Sequence, residues 1–239
     1  MSIIPSPLRN LVERLLVPIV TALIRARVSP NAITTWSTAV VLGSGIAFGV
    51  GMIQLGGALL LLSGIGDMLD GRVARAGARV TPFGAFYDST LDRIGDAALF
   101  GGIAVYFTRG GVPPHLVTWS LLAALVALSA TLIVSYARAR AEGLSLDCQV
   151  GIAQRAERIL GLGVPSLFIG AGPDGLVLLG IVAVLAALSA VTVAQRIAHV
   201  RALTRGSTPA GEGRRPARAT QARQLTSELG EFTNERNRK

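Results

Sequence analysis

Apolar residues along this chain fall into long uncharged blocks separated by short basic or glycine-rich breaks. Residues 28–66, 39 in all, contain no Asp, Glu, Lys or Arg; residues 110–137 form a second such run of 28, and residues 175–195 a third of 21. A membrane-spanning helix takes ~20 apolar residues. The first run is too long for one span and suits two, joined by a turn marked by Gly51, Gln54, Gly56 and Gly57. The second span then runs into Asp67. A third covers residues 81–108 and carries Asp88, Asp92, Arg93 and Asp96; a turn over residues 109–114 leads to a fourth, ending near Glu142. A fifth runs from about Ile152 to a turn at residues 170–173, and a sixth from about Gly175 to Leu203. Ahead of these, Leu8, Leu11, Val12, Leu15, Leu16, Ile19 and Leu23 recur at helical spacing, with Glu13 and Arg14 off the apolar face. That pattern predicts an amphipathic helix kinked at Pro18 and lying in the membrane interface, or packed only on the rest of the protein. Arg9, Glu13 and Arg14 interrupt any signal-peptide core. The fold predicted is all-α and polytopic, with six transmembrane helices. Residues 1–28 form the interfacial helix, 29–204 the six-span domain, and 205–239 a disordered, basic cytoplasmic tail.

Composition agrees with this pattern. Hydrophobic residues make up 51% and charged residues 15% of 239, with mean hydropathy +0.54, whereas soluble domains hold ~25% charged residues. The net charge of +9 would suit nucleic acid by itself. Its placement argues for a membrane instead. With six spans and both termini inside, Arg25, Arg27, Arg72, Arg75, Arg79, Arg138, Arg140, Arg155, Arg158 and everything from Arg196 onward share the cytoplasmic side, and only Arg109 falls outside. The expected location is the plasma membrane. Cys148 is the one cysteine, which permits no internal disulfide.

Chemistry concentrates where the second span ends and the third begins. Asp67 and Asp70 are three apart on one helix, and Asp88 and Asp92 four apart on the next, so each pair shares a helix face. A short connection makes the two helices antiparallel neighbours, and the pairs can meet. Ionisable groups at membrane depth are costly and mark function or a watery cavity. Four close carboxylates need cations to stay ionised. Oxygen-only ligands suit Mg²⁺ or Mn²⁺, and two such ions could clamp a diphosphate. Gly71, Ala74 and Gly84 leave room beside the carboxylates for close helix packing or for a nucleotide. Arg75 is placed to take a phosphate oxygen or to act as an inside anchor.

Together these residues read Asp67-x2-Asp70-Gly71-x2-Ala74-Arg75-x8-Gly84-x3-Asp88-x3-Asp92. The pattern resembles, at every fixed position, the signature of the CDP-alcohol phosphotransferase family. The resemblance implies a membrane enzyme, expected as a homodimer, that binds a CDP-linked lipid and two divalent ions. Asp67, Asp70 and Asp88 would then be metal ligands. Asp92 would lie at the metals as general base, with Gly71, Ala74, Gly84 and Arg75 at the cytidine diphosphate. Asn31 and Thr34, opening the first span, resemble further nucleotide contacts, although Pro-Asn before a helix is also ordinary capping chemistry. Asp96 lies outside the signature and reads as a partner of Arg93.

An alcohol phosphate acceptor needs cations beside this cluster. Arg138, Arg155 and Arg196, from the fourth, fifth and sixth spans, are the candidates, with Glu157 orienting Arg155 or Arg158. The run Ser135-Tyr136-Ala137-Arg138-Ala139-Arg140-Ala141-Glu142 and the Arg155-Ala156-Glu157-Arg158 motif resemble the inositol-phosphate branch of the family, with Arg138 replacing a lysine. That resemblance implies transfer from CDP-diacylglycerol to inositol 1-phosphate, giving phosphatidylinositol phosphate and CMP. Glycerol 3-phosphate is the alternative acceptor. A cation transporter with an acidic intramembrane site is the alternative of a different class; it explains the acids but not the small residues at fixed gaps.

Overall fold

The structure is a computed structural model that describes residues 6–152 and 155–205, with side chains from residue 16 onward. All of its regular structure among the described residues is helical, the α-helices being α1 Ser6–Arg25, α2 Pro30–Gly49, α3 Ile53–Ala76, α4 Pro82–Tyr106, α5 Val117–Glu142, α6 Arg155–Phe168 and α7 Leu176–Thr204. The chain divides into two units, Met1–Val200 and Arg201–Lys239. Of the second, the described residues 201–205 contain the end of α7. Of the tail predicted over 205–239, all but residue 205 lies outside the described residues, as do the side chains of Leu8, Leu11, Val12 and Leu15.

Local chemistry sets the two helix starts that matter most. The Ser29 hydroxyl accepts the Ala32 N–H (3.2 Å) with Pro30 in the first turn of α2, and Thr81 accepts the Gly84 N–H (3.0 Å) with Pro82 opening α4. Such caps satisfy a helix N–H that has no intrahelical partner. Gly51, at φ +85°, makes the tight connection from α2 to α3. Gln54, Gly56 and Gly57, read from sequence as part of that turn, lie inside α3 instead. Their glycines serve packing: a Cβ on Gly56 would sit 2.7 Å from the Phe48 ring, and one on Gly57 2.7 Å from the Leu167 amide nitrogen. They let α2 and α6 close on α3.

The core joins α2, α3, α4, α6 and α7 through Phe48, Leu60, Ile103, Phe107, Leu162, Leu178 and Val182. A smaller cluster seats Leu16 and Val20 of α1 against Ile33, Leu69 and Val73. Val17 and Ile19 of α1 remain exposed. Four segments are long and apolar enough to cross a membrane: Pro30–Gly49, Ile53–Ala76, Pro114–Glu142 and Pro173–Thr204. The last has mean hydropathy 2.8 over its most apolar 18 residues, yet only 33% of that window is buried by protein. Its remaining apolar surface needs lipid, so this is a membrane protein. The other two predicted spans fall short for identifiable reasons. α4 carries Asp88, Asp92, Arg93 and Asp96, and α6 has 14 residues with Pro165 inside.

Candidate functional site

Residues of α2, α3 and α4 build the acidic site, and their register explains it. Thr34 and Ser37 are one turn apart on α2; Asp67 and Asp70 are one turn apart on α3, running the opposite way. The Thr34 hydroxyl donates to Asp70 Oδ2 at 2.8 Å, and the Ser37 hydroxyl to Asp67 Oδ1 at 2.5 Å, with Ser63 O also within reach of Ser37 at 2.8 Å. Two hydroxyl–carboxylate rungs thus aim both acids between the helices. Gly45 and Gly102 let α4 lie close on α2, since a Cβ on Gly102 would strike the Gly45 carbonyl. Asp88 of α4 then comes within electrostatic reach of Asp70 and Asp67.

A second set of rungs crosses from α4 to α6. The Arg155 guanidinium pairs with Asp67 Oδ2 at 2.6 Å and with Asp92 Oδ1. One turn along both helices, Arg158 pairs with Asp96 at 3.5 Å. Arg93, the expected partner of Asp96, instead bonds the Ser89 carbonyl and approaches Asp92 at 3.5 Å. Arg93 stays within electrostatic reach of Asp96, but the ion pair comes from Arg158 on the facing helix. Among the described residues Glu157 makes no ion pair with Arg155 or Arg158; it lines a groove between α6 and α7 that Arg158 also borders.

Two cavities open beside the acids. One, of about 280 Å³, is lined by Asn31, Thr34, Asp70, Gly71, Ala74, Arg75, Gly84 and Asp88. It gathers every residue that the sequence assigned to the nucleotide. The other, of about 250 Å³, is lined by Asp92, Arg93, Asp96, Ser135, Arg138, Arg155, Arg158 and Arg196. It gathers all three arginines assigned to the acceptor. Their freedom differs. Arg138 is half-exposed and paired with Glu142 at 2.8 Å. Arg196 is buried, donating to the Val150 carbonyl at 2.9 Å and to the Val134 carbonyl, so part of its fork ties α7 to α5.

Whether the acids suit a metal can be tested on their chemistry. Asp67, Asp70, Asp88 and Asp92 present only carboxylate oxygen, from adjacent helices, which fits a hard divalent ion. Among the described residues no three acidic, histidine or cysteine side chains close around one ion position. Asp67, Asp70 and Asp92 are held by protein partners, and Arg155 bridges Asp67 and Asp92. Sequence reasoning missed Ser37 and the partner of Asp96. The antiparallel register was the available signal for Ser37, three residues beyond Thr34 as Asp67 is three before Asp70.

The fixed acids and glycines of α3 and α4 fall within residues 27–194, which match the family model described as CDP-alcohol phosphatidyltransferase. The chain belongs to the CDP-alcohol phosphatidyltransferase family. It is similar to the phosphatidylinositol phosphate synthase of Cutibacterium acnes, 44% identical over 144 residues, covering 60% of this chain and 68% of that one. It is also similar to the archaetidylinositol phosphate synthase of Methanothermobacter thermautotrophicus, 42% identical over 152 residues, 64% of this chain and 71% of that one. Among solved structures, the Mycobacterium tuberculosis phosphatidylinositol phosphate synthase with CDP-DAG bound superposes with TM-score 0.69 at 28% identity, covering 85% of this chain and 99% of that one. The same enzyme with manganese and citrate gives 0.68 at 28% identity, over 83% and 92%. A CDP-alcohol phosphatidyltransferase is a transferase, and membership accounts for the acids together with the small residues at fixed gaps. The cation-transporter alternative accounts only for the acids.

Proposed function

We propose that this phosphatidyltransferase moves the phosphatidyl group of CDP-diacylglycerol to inositol 1-phosphate, releasing phosphatidylinositol phosphate and CMP. The observation that carries the acceptor is the arginine cavity: Asp92 lines it together with Arg138, Arg155, Arg158 and Arg196. A base beside a phosphate-sized basic cavity suits an acceptor with a hydroxyl and a phosphate on one molecule. The similar proteins named for inositol-phosphate lipids support the same choice.

In this reading the cytidine diphosphate enters the cavity floored by Gly71, Ala74 and Gly84, where small side chains admit it between α3 and α4. Arg75 offers its guanidinium to a phosphate oxygen, and Asn31 and Thr34 border the nucleotide. The acyl chains stay in lipid. Asp67, Asp70, Asp88 and Asp92 would hold Mg²⁺ or Mn²⁺, two ions per site. When bound, those ions supply positive charge that polarises the diphosphate and offsets charge on the leaving CMP. The acceptor phosphate takes Arg155, Arg138 and the free part of the Arg196 fork. As Arg155 turns to that phosphate, Asp92 Oδ1 is released to accept the proton of the inositol hydroxyl. The hydroxyl oxygen bonds to the β-phosphorus, and the bond from that phosphorus to the bridging oxygen breaks, so CMP leaves. Holding both substrates at one site supplies orientation.

The same reading places six spans in the plasma membrane, counting α4 and α6 with the four apolar segments. Both termini are cytoplasmic, α1 lies in the interface near lipid headgroups, and the enzyme is a homodimer. The test is CMP release from CDP-diacylglycerol by purified protein, with inositol 1-phosphate, glycerol 3-phosphate or neither. Release that depends on inositol 1-phosphate supports the proposal. Release that depends only on glycerol 3-phosphate rejects it.

A further inference from the structure

The signature of the family does not use Asp96, and no part of the reaction above needs it. Yet Asp96 is an ionisable side chain at membrane depth, where charge is costly and rarely idle. Its side chain is 13% exposed and that of Arg158 is 8% exposed, and the two meet at 3.5 Å across 62 positions of sequence. The pair lies at a boundary. On one side both residues line the arginine cavity. On the other both border a small gap walled by Leu99, Phe100, Leu162 and Leu185 of the core. Arg155 and Arg196 come within electrostatic reach of Arg158, and so does Arg93. A cation in that company, against an apolar wall, has every electrostatic reason to leave unless an anion holds it. Among the described residues, Asp96 is the acid that pairs with it.

We propose that Asp96 is a positioning residue for acceptor recognition: it holds the Arg158 guanidinium at the floor of the arginine cavity, where it meets the acceptor phosphate opposite Arg155. This rests on the reading of that cavity as the acceptor site. Asp92–Arg155 and Asp96–Arg158 form successive rungs between the same two helices. The deeper rung fixes the pitch of the α6 start, so the upper arginine is free to exchange Asp92 for substrate without α6 moving. Acceptor affinity therefore depends on Asp96, while the donor cavity, which neither Asp96 nor Arg158 lines, does not.

Purified full-length enzyme in detergent is assayed for CMP release, with KM measured for inositol 1-phosphate and CDP-diacylglycerol and thermal unfolding followed in parallel. Asp96→Asn is expected to raise the inositol 1-phosphate KM roughly tenfold or more, the size of one charge-assisted contact, and to leave the donor KM within about threefold. Asp96→Glu is expected to recover most of the loss. A double variant, Asp96→Leu with Arg158→Met, replaces a buried ion pair by apolar groups, a change that folds tolerate well. It is expected to unfold near the wild-type temperature and still show the raised acceptor KM. A double variant with wild-type acceptor KM overturns the proposal, as does an Asp96→Asn enzyme in which both KM values rise alike. If Arg155→Gln raises the acceptor KM and the Asp96 variants do not, the acceptor reading stands and this inference falls. If the wild type releases no CMP in response to inositol 1-phosphate, both fall.

Discussion

Replacing Arg155 by Gln removes a guanidinium that touches both halves of the site. In the structure it is 2.6 Å from Asp67 and bonded to Asp92, with its side chain 26% exposed. In turnover it is assigned to the acceptor phosphate. One charge-assisted contact is worth about 1.5–3 kcal/mol, which corresponds to roughly a 10- to 150-fold weaker acceptor affinity. The predicted outcome is an inositol 1-phosphate KM raised within that range and a CDP-diacylglycerol KM changed by less than about threefold. Arg155→Lys keeps the charge and loses the fork, so it falls between wild type and Gln. A Mn²⁺ titration of activity separates this role from that of a strut for the acids. With the guanidinium gone, Asp67 and Asp92 lose a competing cation, and the half-saturating Mn²⁺ concentration does not rise. The assay is steady-state CMP release with each substrate varied in turn. An unchanged acceptor KM refutes the reasoning, and so does a rise in the Mn²⁺ requirement large enough to explain the loss.

Three further predictions concern other parts of the site. Asp92→Asn should lower kcat by ~10²–10⁴ while sparing donor binding, checked by turnover together with CDP-diacylglycerol protection against thermal unfolding. Thr34→Val should leave Asp70 without its buried hydroxyl donor; the expected cost is about 1–3 kcal/mol, read as a lower unfolding temperature. Gly102→Ala drives a methyl into the Gly45 carbonyl, and should cost ~1–3 kcal/mol and yield of folded protein, read by thermal unfolding and size-exclusion chromatography.

Much of the architecture is written in the order of residues because few physical rules decide it. Ser29-Pro30 and Thr81-Pro82 cap and open helices by local chemistry alone, so the starts of α2 and α4 are legible. The acids at intervals of three and four must share helix faces, and a short connection must bring those faces together. What stayed hidden depends on partners distant in sequence. Arg196 looked like a free phosphate ligand, but two backbone carbonyls on other segments claim part of its fork. Asp96 was assigned to its neighbour on α4, whereas the facing helix supplies Arg158. Gly56 and Gly57 carry the composition of a turn, and only the approach of Phe48 and α6 shows them to be packing positions. α4 and α6 differ from the four long apolar segments because α4 carries the charges of the site and α6 is short and contains Pro165.

The most direct test of the account follows the acceptor itself. Inositol 1-phosphate carrying a radiolabelled phosphate is incubated with enzyme, CDP-diacylglycerol and Mn²⁺, and the mixture is partitioned between water and chloroform–methanol. The account predicts label in the lipid phase in amounts equal to the CMP formed, at a rate ~10²–10⁴-fold lower with Asp92→Asn. CMP formed while the label stays in water contradicts it.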